Sequence, residues 1–139
     1  MKKDSDTGFL INEPKYKAGE GRPKLLRIEF TKEFTKVDFG FQTTDFYDRG
    51  GWVKISKDTF IRIKSSGEKL TLINAENIPI SPNKHHFKTT KDWLYYSLYF
   101  PAIELKSGKL DLIEADPGEP TDFNYTDIEI DKKKAIQII

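Results

Sequence analysis

Large apolar residues at every other position, in short runs broken by a turn signal about every ten residues, leave this chain few folds to choose from. Leu26, Ile28 and Phe30 alternate with Arg27, Glu29 and Thr31, and Val37, Phe39 and Phe41 alternate with Asp38, Gly40 and Gln42. Successive side chains of an extended strand point to opposite faces, so each run buries one face and leaves the other to solvent. DRGG at 48–51 predicts a tight reversal. WVKIS follows, with Val53 and Ile55 inward and Lys54 outward, and residues 59–74 read as a hairpin with Gly67 at its left-handed corner. ENIPISPNKHHF carries Pro79 and Pro82, which have no N–H for a ladder, and belongs at an edge or in a loop. Leu110 and Leu112 share a face after a turn at 106–109, DPGEP at 116–120 is a hard stop, and FNYTDIEI alternates again. KKKAIQII then ends as a strand or an apolar tail. Apolar residues nowhere recur at helical spacing over a dozen positions, so no substantial helix is expected. The pattern predicts an all-β fold, an immunoglobulin-like antiparallel β-sandwich of about seven to nine strands.

A length of 139 residues suits one domain with one core. Residues 1–23 are polar and rich in Gly and Pro, and read as an arm or loosely packed segment pinned by Phe9, Leu10 and Ile11; residues 24–139 read as the sandwich. Lys plus Arg at 23 against Asp plus Glu at 22 gives no overall field for a polyanion. The absence of Cys excludes disulfides, thiolate zinc sites and a cysteine nucleophile. No apolar stretch approaches the roughly 18–20 residues that cross a bilayer as a helix. The expectation is therefore a soluble chain with no membrane span, periplasmic or at the cell surface if a leader was trimmed and cytoplasmic otherwise.

The run WLYYSLYF at 93–100 is bulky at both parities. Leu94, Tyr96, Leu98 and Phe100 form one complete inward face, and Trp93, Tyr95, Ser97 and Tyr99 point the other way. Two readings of that second face stand side by side: it is covered by the N-terminal arm, a loop or a protomer, or Trp93, Tyr95 and Tyr99 form an outward stripe that stacks on a sugar, a base or a partner.

Motifs for chemistry are sparse. His85 and His86 are adjacent, so an extended backbone points them apart, and no zinc spacing accompanies them. Glu114, Asp116, Glu119 and Asp122 raise the question of Ca²⁺ in the turn at 114–122, but their spacing is not that of an EF-hand loop. Neither a nucleophile elbow nor a phosphate-binding loop occurs. Lys84, His85, His86, Phe87, Lys88, Lys91 and Trp93 interleave cations with rings, but the near-neutral total argues against nucleic acid. No cofactor or metal is expected, and a hydrolase would need two opposed carboxylates that nothing in the sequence singles out.

The order of the phrases GGWVKISKDTFIR, NAENIPIS, YSLYFPAIELKSGKLDLIEAD and FNYTDIEI, spanning roughly 26–130, resembles a family of small Bacteroidetes domains of unknown function. The resemblance implies an immunoglobulin-type sandwich, often exported and often placed ahead of a thioredoxin-like or other catalytic module. It implies three family-type corners: Trp52, Ile55, Ser56, Asp58 and Thr59; Ile78 and Pro79; and Asp111, Ile113, Glu114 and Asp116. It carries no catalytic assignment. The sequence as a whole thus predicts a non-enzymatic binding or accessory module contacting protein or a surface polymer. A carbohydrate-binding module using Trp93, Tyr95 and Tyr99 is the first alternative, and a hydrolase with a carboxylate pair the second.

Overall fold

The computed structural model describes residues 8–19, 22–42, 52–80, 83, 85–86, 93–114 and 123–138. In chain order the strands are β1 (Gly8–Asn12), β2 (Lys17–Ala18), β3 (Lys24–Phe30), β4 (Thr35–Gln42), β5 (Trp52–Val53), β6 (Phe60–Ile63), β7 (Lys69–Thr71), β8 (Asn74–Glu76), β9 (His85–His86), β10 (Trp93–Phe100), β11 (Gly108–Ile113), β12 (Tyr125–Ile130) and β13 (Ile136–Ile138). Seven of these have four residues or more, and the others are two- or three-residue additions at edges and ends. The only helical element among the described residues is one 3₁₀ turn at Lys132–Lys134, capped by the Asp131 side chain.

Two antiparallel sheets form the sandwich. The larger has the order β13-β1-β3-β4-β10-β8, the smaller β2-β12-β11-β6-β7, and β5 pairs with β9 apart from both. On one flank the chain steps from edge strand β7 to edge strand β8 across Leu72 and Ile73, whose N–H groups donate to Thr59 O and Tyr99 O. Elsewhere β1 of the larger sheet runs on into β2, an edge of the smaller one. Such sheet-switching edges hold the two layers in register without a long loop.

The inward faces meet in one core. Ile28, Val37, Phe39, Leu98 and Phe100 come from the larger sheet, and Ile61, Leu110, Leu112, Tyr125 and Ile128 from the smaller. The Phe39 ring stacks on Tyr96 at 5.0 Å and lies 5.4 Å from Tyr125 across the layers, while Tyr16 meets Tyr125 edge-on at 5.5 Å. Each fully buried side chain of this size contributes roughly 1.5–3 kcal/mol, which is what fixes the register of so many short strands.

Two expectations need correction. The segment expected as an arm supplies β1, inserted between β13 and β3, and β2, paired with β12. Ile11 is buried, Tyr16 Oη accepts from Leu25 N, and Tyr125 Oη donates to Pro23 O, so residues 8–18 belong to the sandwich. The alternation also slips where a bulge intervenes. β3 shifts register between Leu25 and Arg27, so Leu25 is buried and Leu26 faces outward. In the same way, β11 and β12 shift between Leu110 and Leu112, opposite Asp127 at φ 51°, and the inward residues of β12 are Tyr125, Ile128 and Ile130. A bulge adds one residue to one strand and reverses the parity beyond it. The hairpin at Gly67 has the expected left-handed corner, φ 75°, with Gly67 N donating to Ile63 O. The DRGG and DPGEP turns lie outside the described residues.

Candidate functional site

β10 and β4 pair along their whole length, placing Trp93 opposite Gln42, Tyr95 opposite Gly40, Ser97 opposite Asp38 and Tyr99 opposite Lys36. Leu94, Tyr96, Leu98 and Phe100 are buried, as their parity dictates. The outward row divides. Trp93 and Tyr95 are 51% and 60% exposed, with ring planes 9° apart and centroids 6.0 Å apart, so two parallel rings stand on the part of β10 that pairs with β4, ahead of its short ladder with edge strand β8. Tyr99 is half-buried and turned edge-on to Phe34 at 5.3 Å, with its hydroxyl 3.4 Å from both Glu76 carboxylate oxygens. Partial burial lifts its pKa above the usual phenol value, with Lys36 opposing and Glu76 reinforcing the shift.

Gly40 makes room for the Tyr95 ring. A Cβ at that position would stand 3.2 Å from Tyr95 Cε1 and 3.4 Å from Leu26 Cδ1, so the ring lies across the glycine and reaches toward β3. A glycine inside a strand commonly marks such a close approach. Beside the ring the sheet surface is concave, a cavity of about 610 Å³ that Tyr95, Arg27, Asp38, Glu76 and Asn77 help to line.

Asp38, nearly buried, is the centre of that cavity floor. Its carboxylate accepts from Arg27 Nε and Ser97 Oγ, and Lys36 Nζ lies 3.7 Å away. The hydrogen bond and charge of Asp38 hold the Arg27 guanidinium above even its usual high pKa. The side chain of Asn77, at φ 65° just beyond β8, donates from Nδ2 to Tyr95 O and ties the cavity rim to β10.

On the outer face of the smaller sheet, Asp111 is buried at 1% exposure and fully occupied. It accepts from Arg62 Nε at 3.3 Å and Asp127 N at 3.0 Å, with Lys64 Nζ at 3.2 Å. Lys64 also reaches Asp127 at 3.4 Å, and Lys17 reaches Asp127 at 3.3 Å. The hydrogen bond that Lys64 donates to Asp111 raises the Lys64 pKa, and the one that Lys17 donates to Asp127 lowers that of Asp127. The network braces the bulge that holds Asp127 in its left-handed conformation.

Of the three corners that the resemblance singles out, Ile55–Ser56, Pro79 and Glu114 are joined by hydrogen bonds, whereas Asp111 belongs to the network around Asp127. Ile55 N donates to Pro79 O, and Ile55 bridges Ile80 in parallel. Ser56 N donates to Glu114 Oε2, Phe123 N donates to Glu114 Oε1, and Glu114 N donates to Asn124 Oδ1. Within the first corner Ser56 Oγ accepts from the Asp58 amide, and buried Thr59 donates its hydroxyl to Ser56 O. Ile78 and Ile113 are buried, Asp58 is exposed, and Trp52 pairs through its backbone with His86. Ser56, Thr59 and Glu114 thus serve as a joint between loops. Asp116, Glu119 and Asp122, and with them the Ca²⁺ question, lie outside the described residues, as do Lys84, Phe87, Lys88 and Lys91. Among the described residues no three His, Asp or Glu side chains group as a metal site requires, and no helix is long and apolar enough to cross a membrane.

Trp93 and Tyr95 were readable from the strand's parity, whereas Arg27, Asp38, Glu76 and Asn77 come from three other segments and only the fold unites them. Gly40, isolated in an otherwise bulky strand, is the kind of sequence signal that marks a close approach such as that of the Tyr95 ring. Compared with protein-family models, curated proteins and solved structures, the chain has no match, so its own geometry carries the functional argument.

Proposed function

We propose that this chain is a non-enzymatic binding module of the exported β-sandwich kind that its sequence resembles, and that it holds a glycan across the outer face of its larger sheet. One observation carries the reading: Trp93 and Tyr95 present parallel, exposed rings on β10, beside a concave surface lined with planar polar groups. Aromatic faces accept the C–H side of a sugar ring, and a rigid strand keeps them in place at little entropic cost. The corner residues serve the joint between loops and Asp111 serves the bulge, which supports a scaffold role for the acidic groups. Asp111 and Asp127 share Lys64, an arrangement that neutralises both carboxylates and suits bracing better than acid–base chemistry.

The test is a glycan array followed by calorimetry on the hits, with wild type, Trp93→Ala and Tyr95→Ala. Each ring contributes about tenfold in affinity, or about 1.4 kcal/mol. Hits that bind all three proteins equally overturn the reading.

A further inference from the structure

The cavity beside Tyr95 has a chemical character of its own. Arg27 spends only Nε on Asp38; its terminal Nη groups have no partner among the described residues, and its side chain is half exposed. Among the described residues Glu76 has only the long contacts to Tyr99 Oη on its two oxygens, and Asn77 uses Nδ2 on Tyr95 O and has no partner for Oδ1. The rim therefore offers a forked donor, a forked acceptor and a lone carbonyl beside an aromatic face. Guanidinium and carboxylate forks each engage two neighbouring hydroxyls at once.

The charges nearly cancel: Arg27 and Lys36 share Asp38, and with Glu76 and Glu13 also in the lining two cations face three carboxylates. An anionic group entering here meets two carboxylates, and a cation meets Arg27 and Lys36. A volume of about 610 Å³ lies in the usual range for small-molecule sites. Asp38 acts through Arg27: with Ser97 and Lys36 fixing its carboxylate, it holds the guanidinium fork toward the opening.

We propose that this cavity is a subsite for one neutral sugar residue of the bound glycan, with Arg27 and Glu76 gripping its hydroxyls, Tyr95 against its ring face, and Asp38 as a positioning residue. The proposal rests on the glycan-binding reading and adds the ligand's charge class and the residues that read it. Uronic and sulfated sugars are disfavoured, because Glu76 and Glu13 leave the lining with one carboxylate more than it has cations.

The experiment is isothermal titration with cellohexaose, xylohexaose and mannohexaose as neutral probes and hexagalacturonate and a heparin hexasaccharide as anionic ones. Titrations are run at low and high NaCl on wild type, Glu76→Gln, Arg27→Lys and Trp93→Ala, each checked for an unchanged melting curve. The expected result is that at least one neutral probe binds with affinity that changes less than twofold with salt, and that Glu76→Gln and Arg27→Lys each lower it tenfold or more. Preference for an anionic probe, or affinity that falls steeply with salt, overturns the subsite. If Trp93→Ala weakens a neutral probe while Glu76→Gln and Arg27→Lys bind like wild type, the subsite fails and the glycan reading stands. If none of the five probes binds, both fail.

Discussion

Replacing Glu114 by Ala removes the acceptor for two backbone amides from different loops, Ser56 N at 3.0 Å and Phe123 N at 2.9 Å. A hydrogen bond to a charged acceptor contributes about 1.5–3 kcal/mol, and partial solvent access at this corner argues for the lower end of that range. Two such bonds give about 3 kcal/mol for Glu114→Ala. Gln keeps one carbonyl oxygen for one amide but turns an NH₂ toward the other, so Glu114→Gln costs about half to two-thirds as much. With a urea slope of about 1.5 kcal/mol/M, the unfolding midpoint falls by about 2 M for Ala and about 1 M for Gln. Exposed Asp58, whose family-type position is equally prominent in the sequence, is the control, and Asp58→Ala stays within about 0.5 kcal/mol of wild type. Amide hydrogen exchange at Ser56 and Phe123 accelerates in Glu114→Ala, because these two protons lose their acceptor. A midpoint shift below about 0.3 M, or unchanged exchange at both amides, refutes the account of Glu114 as the joint between loops.

Asp111→Asn keeps Oδ1 for Asp127 N but turns an NH₂ toward Arg62 Nε and Lys64 Nζ, both of which reach solvent and can swing away, so it costs about 1 kcal/mol; Asp111→Ala also strands the Asp127 amide and costs about 2–3 kcal/mol by chemical denaturation. Equal costs for the two variants contradict the bracing of the bulge. Burial holds the Tyr96 phenol well above 10.0, with Glu114 adding to the shift, and burial likewise raises Tyr125, so ultraviolet difference titration finds both silent while exposed tyrosines ionise. Because these folded-state values are raised, the folded chain keeps protons that the unfolded chain loses above about pH 10; stability is full below that value and declines as pH rises past it. Ionisation of every tyrosine before unfolding contradicts their placement in the core.

Parity was legible wherever a strand ran without interruption. β10 sorted its eight residues into the two faces that the alternation dictates, and Gly67 declared its turn. What period-two reasoning lost, it lost at bulges: Leu26 has the right spacing to Ile28 and Phe30, yet the extra residue in β3 turns it outward and puts Leu25 in the core. Residues 8–18 looked like an arm because Gly and Pro dominate their neighbourhood. Their attachment depends on long-range partners, Ile28 for Ile11 and Tyr125 for Tyr16, that no local pattern announces. The same limit applied to the cavity, since Arg27, Asp38, Glu76 and Ser97 share a surface only through cross-strand pairing.

The central claim is that ligand engages the outer face of the larger sheet, and a backbone amide chemical-shift map addresses it directly. Titrating the isotope-labelled protein with whichever neutral oligosaccharide binds best is predicted to shift the amides of Arg27, Asp38, Gly40, Asn77 and residues 93–97, while those of β6, β11 and β12 stay in place. Shifts concentrated instead around Arg62, Lys64, Asp111 and Asp127 contradict it.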